Sequence, residues 1–84
     1  MEKRELLELL EQLDLQVWDV TQQVTNQRNI LAQLDAVGMD TNEPQLLLSR
    51  LENLLIHYLH KRERLRGELA KLDGSTQEPK QPGR

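Results

Sequence analysis

The sequence predicts an all-α fold: an antiparallel two-helix hairpin of coiled-coil type that is completed by oligomerisation or by a partner. Three observations support this prediction. Apolar residues recur at alternating spacings of three and four in two long stretches, a short segment rich in turn-forming residues separates them, and further apolar residues lie outside both repeats. Such alternating spacings define a heptad repeat, which lines one face of a helix with apolar side chains.

The first apolar seam predicts a helix over about residues 3–36. With one polar interruption at Gln27, its positions are Leu6, Leu10, Leu13, Val17, Val20, Val24, Leu31 and Leu34. Glutamates near its start suit the positive end of the helix macrodipole. Gly38 follows the last repeat and suits the left-handed conformation that commonly ends a helix. We therefore expect a turn at 37–42.

The second apolar seam predicts a helix over about residues 43–72. With one polar interruption at Arg62, its positions are Leu48, Leu51, Leu55, Tyr58, Leu65, Leu69 and Leu72. Asn42 offers an N-cap side chain, Pro44 suits the first turn, and Gln45 is placed to complete a capping box. The hairpin then forms one domain over 1–74. The aperiodic, proline-containing segment 75–84 is expected to be a disordered tail.

The short connection makes the two helices antiparallel. Matching the seams across the turn places Leu65 opposite Val17 and Arg62 opposite Val20. Two interpretations of the polar seam residues, Gln27 and Arg62, stay open at this point. They fix the register or the oligomeric state, or they contact a partner.

The two predicted helices carry opposite charge. Residues 1–36 hold three basic and seven acidic side chains, whereas residues 45–72 hold six basic and three acidic ones, within a chain of net charge -3. This split favours pairing between the helices. Each exposed ion pair contributes less than about 1 kcal/mol, so the charges select register and orientation more than they stabilise the fold.

No residue pattern predicts a catalytic, cofactor or metal site. His57 and His60 lie three residues apart, but the chain has no cysteine and only Glu63 is near in sequence, so an ordinary surface pair is the simpler interpretation. There is no glycine-rich phosphate loop and no nucleophile triad pattern. We therefore expect a non-enzymatic protein that holds no cofactor and no metal.

The basic stretch at 57–66 raises nucleic-acid or membrane-surface binding as further hypotheses. Both are less favoured, because the chain is acidic overall, the stretch has an acidic partner in the first helix, and the basic face is short. No apolar run approaches the roughly 20 residues that cross a bilayer. The charged N-terminus does not read as a signal peptide. We expect a cytoplasmic protein.

Apolar residues outside the seams predict a partner interface. The candidate interface residues are Leu7, Trp18, Ile30, Leu47, Leu54, Ile56 and Leu59. A wide apolar stripe normally means that a helix is buried on more than one side. Trp18 is the most informative of the set, since tryptophan is enriched at interfaces. We expect a protein partner, a homo-oligomer, or both.

The turn Gly38-Met39-Asp40-Thr41-Asn42-Glu43-Pro44-Gln45 and the stretch Leu54-Leu55-Ile56-His57-Tyr58 resemble the small E components of bacterial type III secretion systems. Those proteins are short, cysteine-poor helical hairpins that act as co-chaperones of the needle subunit. The resemblance implies that one hairpin face packs on a helical-repeat chaperone, and that the two together cover an aggregation-prone helix of the needle subunit.

Two other functions remain alternatives. The chain could be a structural coiled-coil subunit of a larger assembly, because its apolar surface exceeds what two helices can bury. An RNA-binding helical bundle is the less favoured alternative, for the reasons of charge given above.

Overall fold

The computed structural model describes residues 2–74 and consists there of two α-helices and no strands. Helix α1 spans Lys3–Ala36 and helix α2 spans Asn42–Gly74. They run antiparallel, and an ion pair of 3.0 Å between Lys3 and Asp73 joins their free ends. The predicted all-α helical hairpin is confirmed. The expected tail, 75–84, lies outside the described residues.

Helix α1 begins with a local cap. The backbone N–H of Glu2 donates to Oε1 of Glu5 at 3.2 Å, and the N–H of Leu6 donates to the carbonyl of Glu2 at 3.1 Å. These bonds engage backbone groups at a helix end that intrahelical bonds leave incomplete. From this start the 34 residues of α1 extend for about 51 Å.

Gly38 ends α1 in the conformation expected of it. Its φ is +73°, in the left-handed region, and the N–H of Met39 donates to the carbonyl of Leu34 at 2.9 Å. The N–H of Gly38 donates to the carbonyl of Asp35 at 3.1 Å. These two bonds form a Schellman motif, in which a left-handed residue reverses the chain and satisfies the last carbonyls of the helix.

The start of α2 differs from the expectation for Asn42. This residue lies inside the helix, and its N–H donates to Oδ1 of Asp40 at 3.0 Å. The carbonyl of Thr41 accepts the N–H of Gln45 at 2.9 Å, and the hydroxyl of Thr41 accepts the side chain of Gln45 at 3.0 Å. The residue before the helix is therefore Thr41 rather than Asn42, and Asp40 supplies the side chain that accepts a backbone N–H.

The core is a single apolar layer between the helices. Its buried apolar side chains are Leu6, Leu10, Leu13, Val20, Val24 and Leu65. Only Leu65 belongs to α2, whose other seam residues are half-buried or exposed. One of them, Leu72, is exposed because it lies near the free end, where α1 begins at Lys3. Helix α1 alone therefore leaves the apolar seam of α2 partly uncovered.

The register of the hairpin differs from the predicted one. Leu65 packs with Leu6, Leu10 and Leu13 in the core cluster, and Arg62 pairs with Asp14. The predicted position of Arg62 was opposite Val20, so α2 lies about one heptad closer to the N-terminus of α1. A slip of one heptad brings the same seam faces together, so periodicity does not select the register. The short connection between Ala36 and Asn42 and the hydrogen bond from Gln27 to Pro44 select it, because together they hold the start of α2 against the second half of α1.

Candidate protein-interaction surfaces

The two sides of the hairpin can be assigned from the order of residues around each seam. In a helix with 3.6 residues per turn, residues that directly follow a seam residue lie on one side and residues that directly precede one lie on the other. Arg28 follows Gln27 and Glu52 follows Leu51, and the two side chains meet at 2.9 Å across the helices. In this antiparallel hairpin, the following residues of both helices therefore share one side.

One side carries four of the seven predicted interface residues, and we name it the Trp18 flank. Its members are Leu7, Trp18, Ile56 and Leu59, each of which directly follows a seam residue. Trp18 is 63% exposed and Ile56 is 50% exposed, whereas Leu59 is half-buried. Trp18, Ile56 and Leu59 lie in the middle of the hairpin, whereas Leu7 lies nearer to the free ends of the helices.

The ion pair between Asp14 and Arg62 fixes the level of these residues along the hairpin. Four residues further along α1 lies Trp18, and four residues back along α2 lies Tyr58. Trp18 is thus level with Tyr58, and Ile56 and Leu59 lie within one helical turn of that level on the same side of the hairpin. The structure brings together three predicted interface residues that are about 40 positions apart in sequence.

The opposite side carries the other three predicted interface residues, and we name it the Leu54 flank. Its members are Ile30, Leu47 and Leu54, each of which directly precedes a seam residue and is exposed. The Asp14–Arg62 and Arg28–Glu52 pairs place Ile30 level with residues 46–50 of α2, beside Leu47 and one to two turns from Leu54. These three side chains therefore form one patch near the turn.

Surface grooves agree with this assignment. A groove of about 520 Å³ beside the Leu54 flank is lined by Gln27, Glu43, Pro44, Leu46, Leu47 and Arg50. A smaller groove, of about 320 Å³, is lined on the other side by Leu31, Ala32, Asp35, Thr41 and Gln45. Both are open depressions between the helices near the turn, and neither is lined by a constellation of catalytic side chains.

Apart from the seam residue Leu72, four further exposed apolar residues were not among the predicted interface residues. They are Leu15, Val37, Met39 and Leu46. Leu15 lies on the outer side of α1, one helical turn from Trp18. Leu46 lies on the outer side of α2 and lines the groove beside the Leu54 flank, while Val37 and Met39 lie in the turn. Within its own helix, neither Leu15 nor Leu46 has an apolar residue seven positions away, so the heptad spacing alone does not assign them to a surface.

The two polar seam residues make contacts within the hairpin. Gln27 is buried, and its Nε2 donates to the carbonyl of Pro44 at 3.0 Å. The guanidinium of Arg62 donates through Nη1 to Oδ1 of Asp14 at 3.2 Å, with 23% of its side chain exposed. The Nε of Arg62 is buried and has no hydrogen-bond partner among the described residues. Both residues thus link α1 to α2.

Most charged side chains of residues 2–73 form no ion pair with the other helix. Among residues 2–73, three ion pairs are formed, and only Asp14–Arg62 joins an acid of α1 to a base of α2. The basic side chains Lys61, Arg64, Arg66 and Lys71 are exposed. The expected alignment of acidic and basic stretches is therefore satisfied by one contact, and the rest of both stretches faces solvent.

His57 and His60 lie on the exposed surface of α2. The ring of His57 lies 6.0 Å from that of Tyr58, in a tilted arrangement. Within the described part of the chain, no group of three or more histidine, cysteine, aspartate or glutamate side chains is placed to hold a metal ion. Neither described helix has the length and apolar character of a membrane span.

Comparison of the chain with protein-family models, with curated proteins and with solved structures found no match.

Proposed function

We propose that this protein is a non-enzymatic helical protein–protein interaction module that covers a hydrophobic helix of its partner with the Trp18 flank. The observation that carries the proposal is the position of Trp18, which is 63% exposed at the level of Ile56 and Leu59 on the same side of the hairpin. Tryptophan is prominent among residues that dominate binding energy at interfaces. Large apolar side chains exposed together on one side of a protein typically mark an interaction site.

The shape of the Trp18 flank suits an amphipathic helix. Two antiparallel helices leave a shallow groove along their line of contact, and a third helix can lie in it with apolar residues at spacings of three and four. Trp18 on α1 and Ile56 on α2 stand on the two walls of this groove. Leu59, which is half-buried, forms part of its floor.

A small co-chaperone of the type III secretion needle subunit is the specific form of this proposal. A two-helix hairpin with an exposed apolar flank supports it, since such a co-chaperone packs one face on a helical partner. The partial exposure of the α2 seam is a further support, because a partner helix would complete its burial. A cytoplasmic location belongs to the same proposal.

A structural coiled-coil subunit is the second candidate. The observation that favours it is the division of the exposed apolar residues into two flanks on opposite sides of the hairpin. A chain with two such flanks can bind two neighbours at once and bridge them within a larger assembly.

Coexpression tests the proposal. The chain would be produced together with a type III secretion needle subunit and its helical-repeat chaperone, and the soluble complex would be isolated and its mass measured. We expect a soluble complex in which Trp18→Ala or Ile56→Ala weakens binding about tenfold or more. Leu46→Ala is the matched control, since Leu46 is also a large, exposed apolar residue but lies outside the Trp18 flank.

The outcome separates the two candidates. An insoluble needle subunit, or a complex that tolerates both Trp18→Ala and Ile56→Ala, would reject the co-chaperone. Growth of the purified chain into higher assemblies without any partner would favour the structural subunit.

A further inference from the structure

We propose that the Leu54 flank binds a second copy of this chain in a four-helix bundle. The two-fold axis runs parallel to the helices, so that α1 of each copy packs against α2 of the other. This inference goes beyond the proposed function, which concerns the Trp18 flank on the opposite side. The two surfaces can therefore be tested independently.

The apolar residues of the Leu54 flank fit this arrangement. Ile30 lies level with residues 46–50 of α2, beside Leu47. A two-fold axis parallel to the helices keeps both turns at the same end and places Ile30 of one copy level with Leu47 of the other. Three exposed apolar side chains from each copy then bury one another, and the half-exposed seam of α2 gains a second neighbouring helix.

Charge identifies the second copy as the occupant of this flank. On its α1 part, Glu5 and Asp19 directly precede seam residues. On its α2 part, the charged residues that precede predicted seam positions are four bases and one acid: Arg50, Lys61, Arg64, Glu68 and Lys71. None of the three interhelical ion pairs of the described residues uses Asp19, Lys61 or Lys71. The flank thus carries net negative charge on α1 and net positive charge on α2, which is a self-complementary pattern for a two-fold interface.

The ion pairs that define positions along the hairpin also indicate which of these charges face each other between the two copies. From the Asp14–Arg62 contact, Asp19 is level with residue 57 of α2, and from the Arg28–Glu52 contact it is level with residue 61. Asp19 of one copy therefore comes opposite the segment of the other that ends at Lys61. Glu5 comes level with Lys71 in the same way.

The orientation of the axis follows from the charges. A two-fold axis perpendicular to the helices would place α1 on α1 of the second copy, and so would bring acidic residues together. It would also move the apolar patch near the turn of one copy onto the charged free end of the other. The parallel axis avoids both conflicts.

Sedimentation of the purified full chain from nanomolar to sub-millimolar concentration tests the association. We expect a dimer, and we expect Leu54→Asp to raise its Kd about a hundredfold or more. Leu15→Asp is the matched control, because Leu15 is exposed on the outer side of α1 and should leave the dimer unchanged. A monomer at every concentration, or a Leu54→Asp dimer as tight as the parent, would overturn the proposal.

A charge exchange tests the interface without relying on Leu54. Asp19→Lys alone should weaken the dimer about tenfold, because the new lysine of each copy faces the basic part of α2 of the other copy. Adding Lys61→Asp should restore most of the affinity, while helix content measured by circular dichroism stays the same in all variants. Absence of this rescue would reject the pairing of α1 with α2 of the second copy.

Spin labels distinguish the two orientations of the axis. The chain has no cysteine, so Met39→Cys gives a single label at the exposed turn. With a parallel axis the two turns are adjacent, and the label separation should be about 20 Å or less, given helices 8–10 Å apart. A separation near the helix length of about 50 Å would show that α1 packs on α1 and would overturn the proposal.

Discussion

The side chain of Gln27 donates from Nε2 to the carbonyl of Pro44 at 3.0 Å, and thereby ties the second half of α1 to the first turn of α2. Gln27 is only 8% exposed and occupies a seam position among leucine and valine side chains. A buried polar residue at such a position costs stability but disfavours registers in which it would lose its partner.

Replacing Gln27 with leucine should therefore stabilise the hairpin and relax its register. We expect Gln27→Leu to raise the free energy of unfolding by about 1 kcal/mol through added apolar burial. Spin labels at Gln12 and Arg64, which are level with each other, should show a second population of distances. That population corresponds to a shift of α2 along α1 by about 10 Å, the length of one heptad. The control is Gln22→Leu on the outer side of α1, and a single unchanged distance in Gln27→Leu would contradict the role of Gln27.

The pair Asp14–Arg62 gives the second prediction. Arg62 is largely buried and its Nε has no partner among the described residues, so the guanidinium is only partly satisfied. We expect Arg62→Leu to raise the free energy of unfolding in urea by about 1 kcal/mol. Asp14→Ala should lower the free energy of unfolding by about 1 kcal/mol, because this substitution removes the carboxylate that Arg62 contacts.

The exposed pair Arg28–Glu52 is the control for this prediction. Arg28→Ala should change the unfolding free energy by less than about 0.5 kcal/mol, since exposed ion pairs contribute little. If Arg62→Leu instead destabilised the hairpin, the buried guanidinium would be a net contributor to the fold.

The two glycines Gly38 and Gly67 should respond to alanine in opposite directions. An added Cβ would meet no atom within 4 Å at either position, so backbone conformation alone decides the result. Gly38 has a φ of +73°, where alanine is strained, and Gly38→Ala should lower the free energy of unfolding by about 1 kcal/mol. Gly67 lies within α2, and Gly67→Ala should raise it by about 0.5–1 kcal/mol. Thermal unfolding of both variants checks this, and equal shifts would contradict it.

Heptad spacing was sufficient to predict which face of each helix is turned inward. Gln27 and Leu13 are buried as seam residues, and Gly38 reverses the chain where its position after the last repeat indicated. The register could not be predicted in the same way, because a one-heptad slip preserves the apolar seam. Arg62 meets Asp14 because the compact turn and the bond between Gln27 and Pro44 set the register, and both depend on three-dimensional geometry.

The division of the candidate interface residues into two flanks had a signal in the sequence. Trp18 and Ile56 each follow a seam residue, whereas Ile30 and Leu54 each precede one. This order separates the two sides once the helices are known to be antiparallel. The half-burial of Leu59 had no such signal, because it depends on how closely α1 approaches α2 at that level.

The last prediction separates residues that hold the hairpin together from residues that serve an interface. Leu6 is 1% exposed, and Leu6→Ala should lower the free energy of unfolding by about 2–4 kcal/mol, since it removes a fully enclosed side chain. Trp18→Ala should change the free energy of unfolding by less than about 0.5 kcal/mol, because the indole ring, although larger than a leucine side chain, is mostly exposed to solvent in the isolated hairpin. Urea denaturation of both variants, at a concentration where the parent chain shows no association, makes the comparison. A loss for Trp18→Ala as large as that for Leu6→Ala would mean that Trp18 belongs to the core of this chain, and the Trp18 flank would then not be a free binding surface.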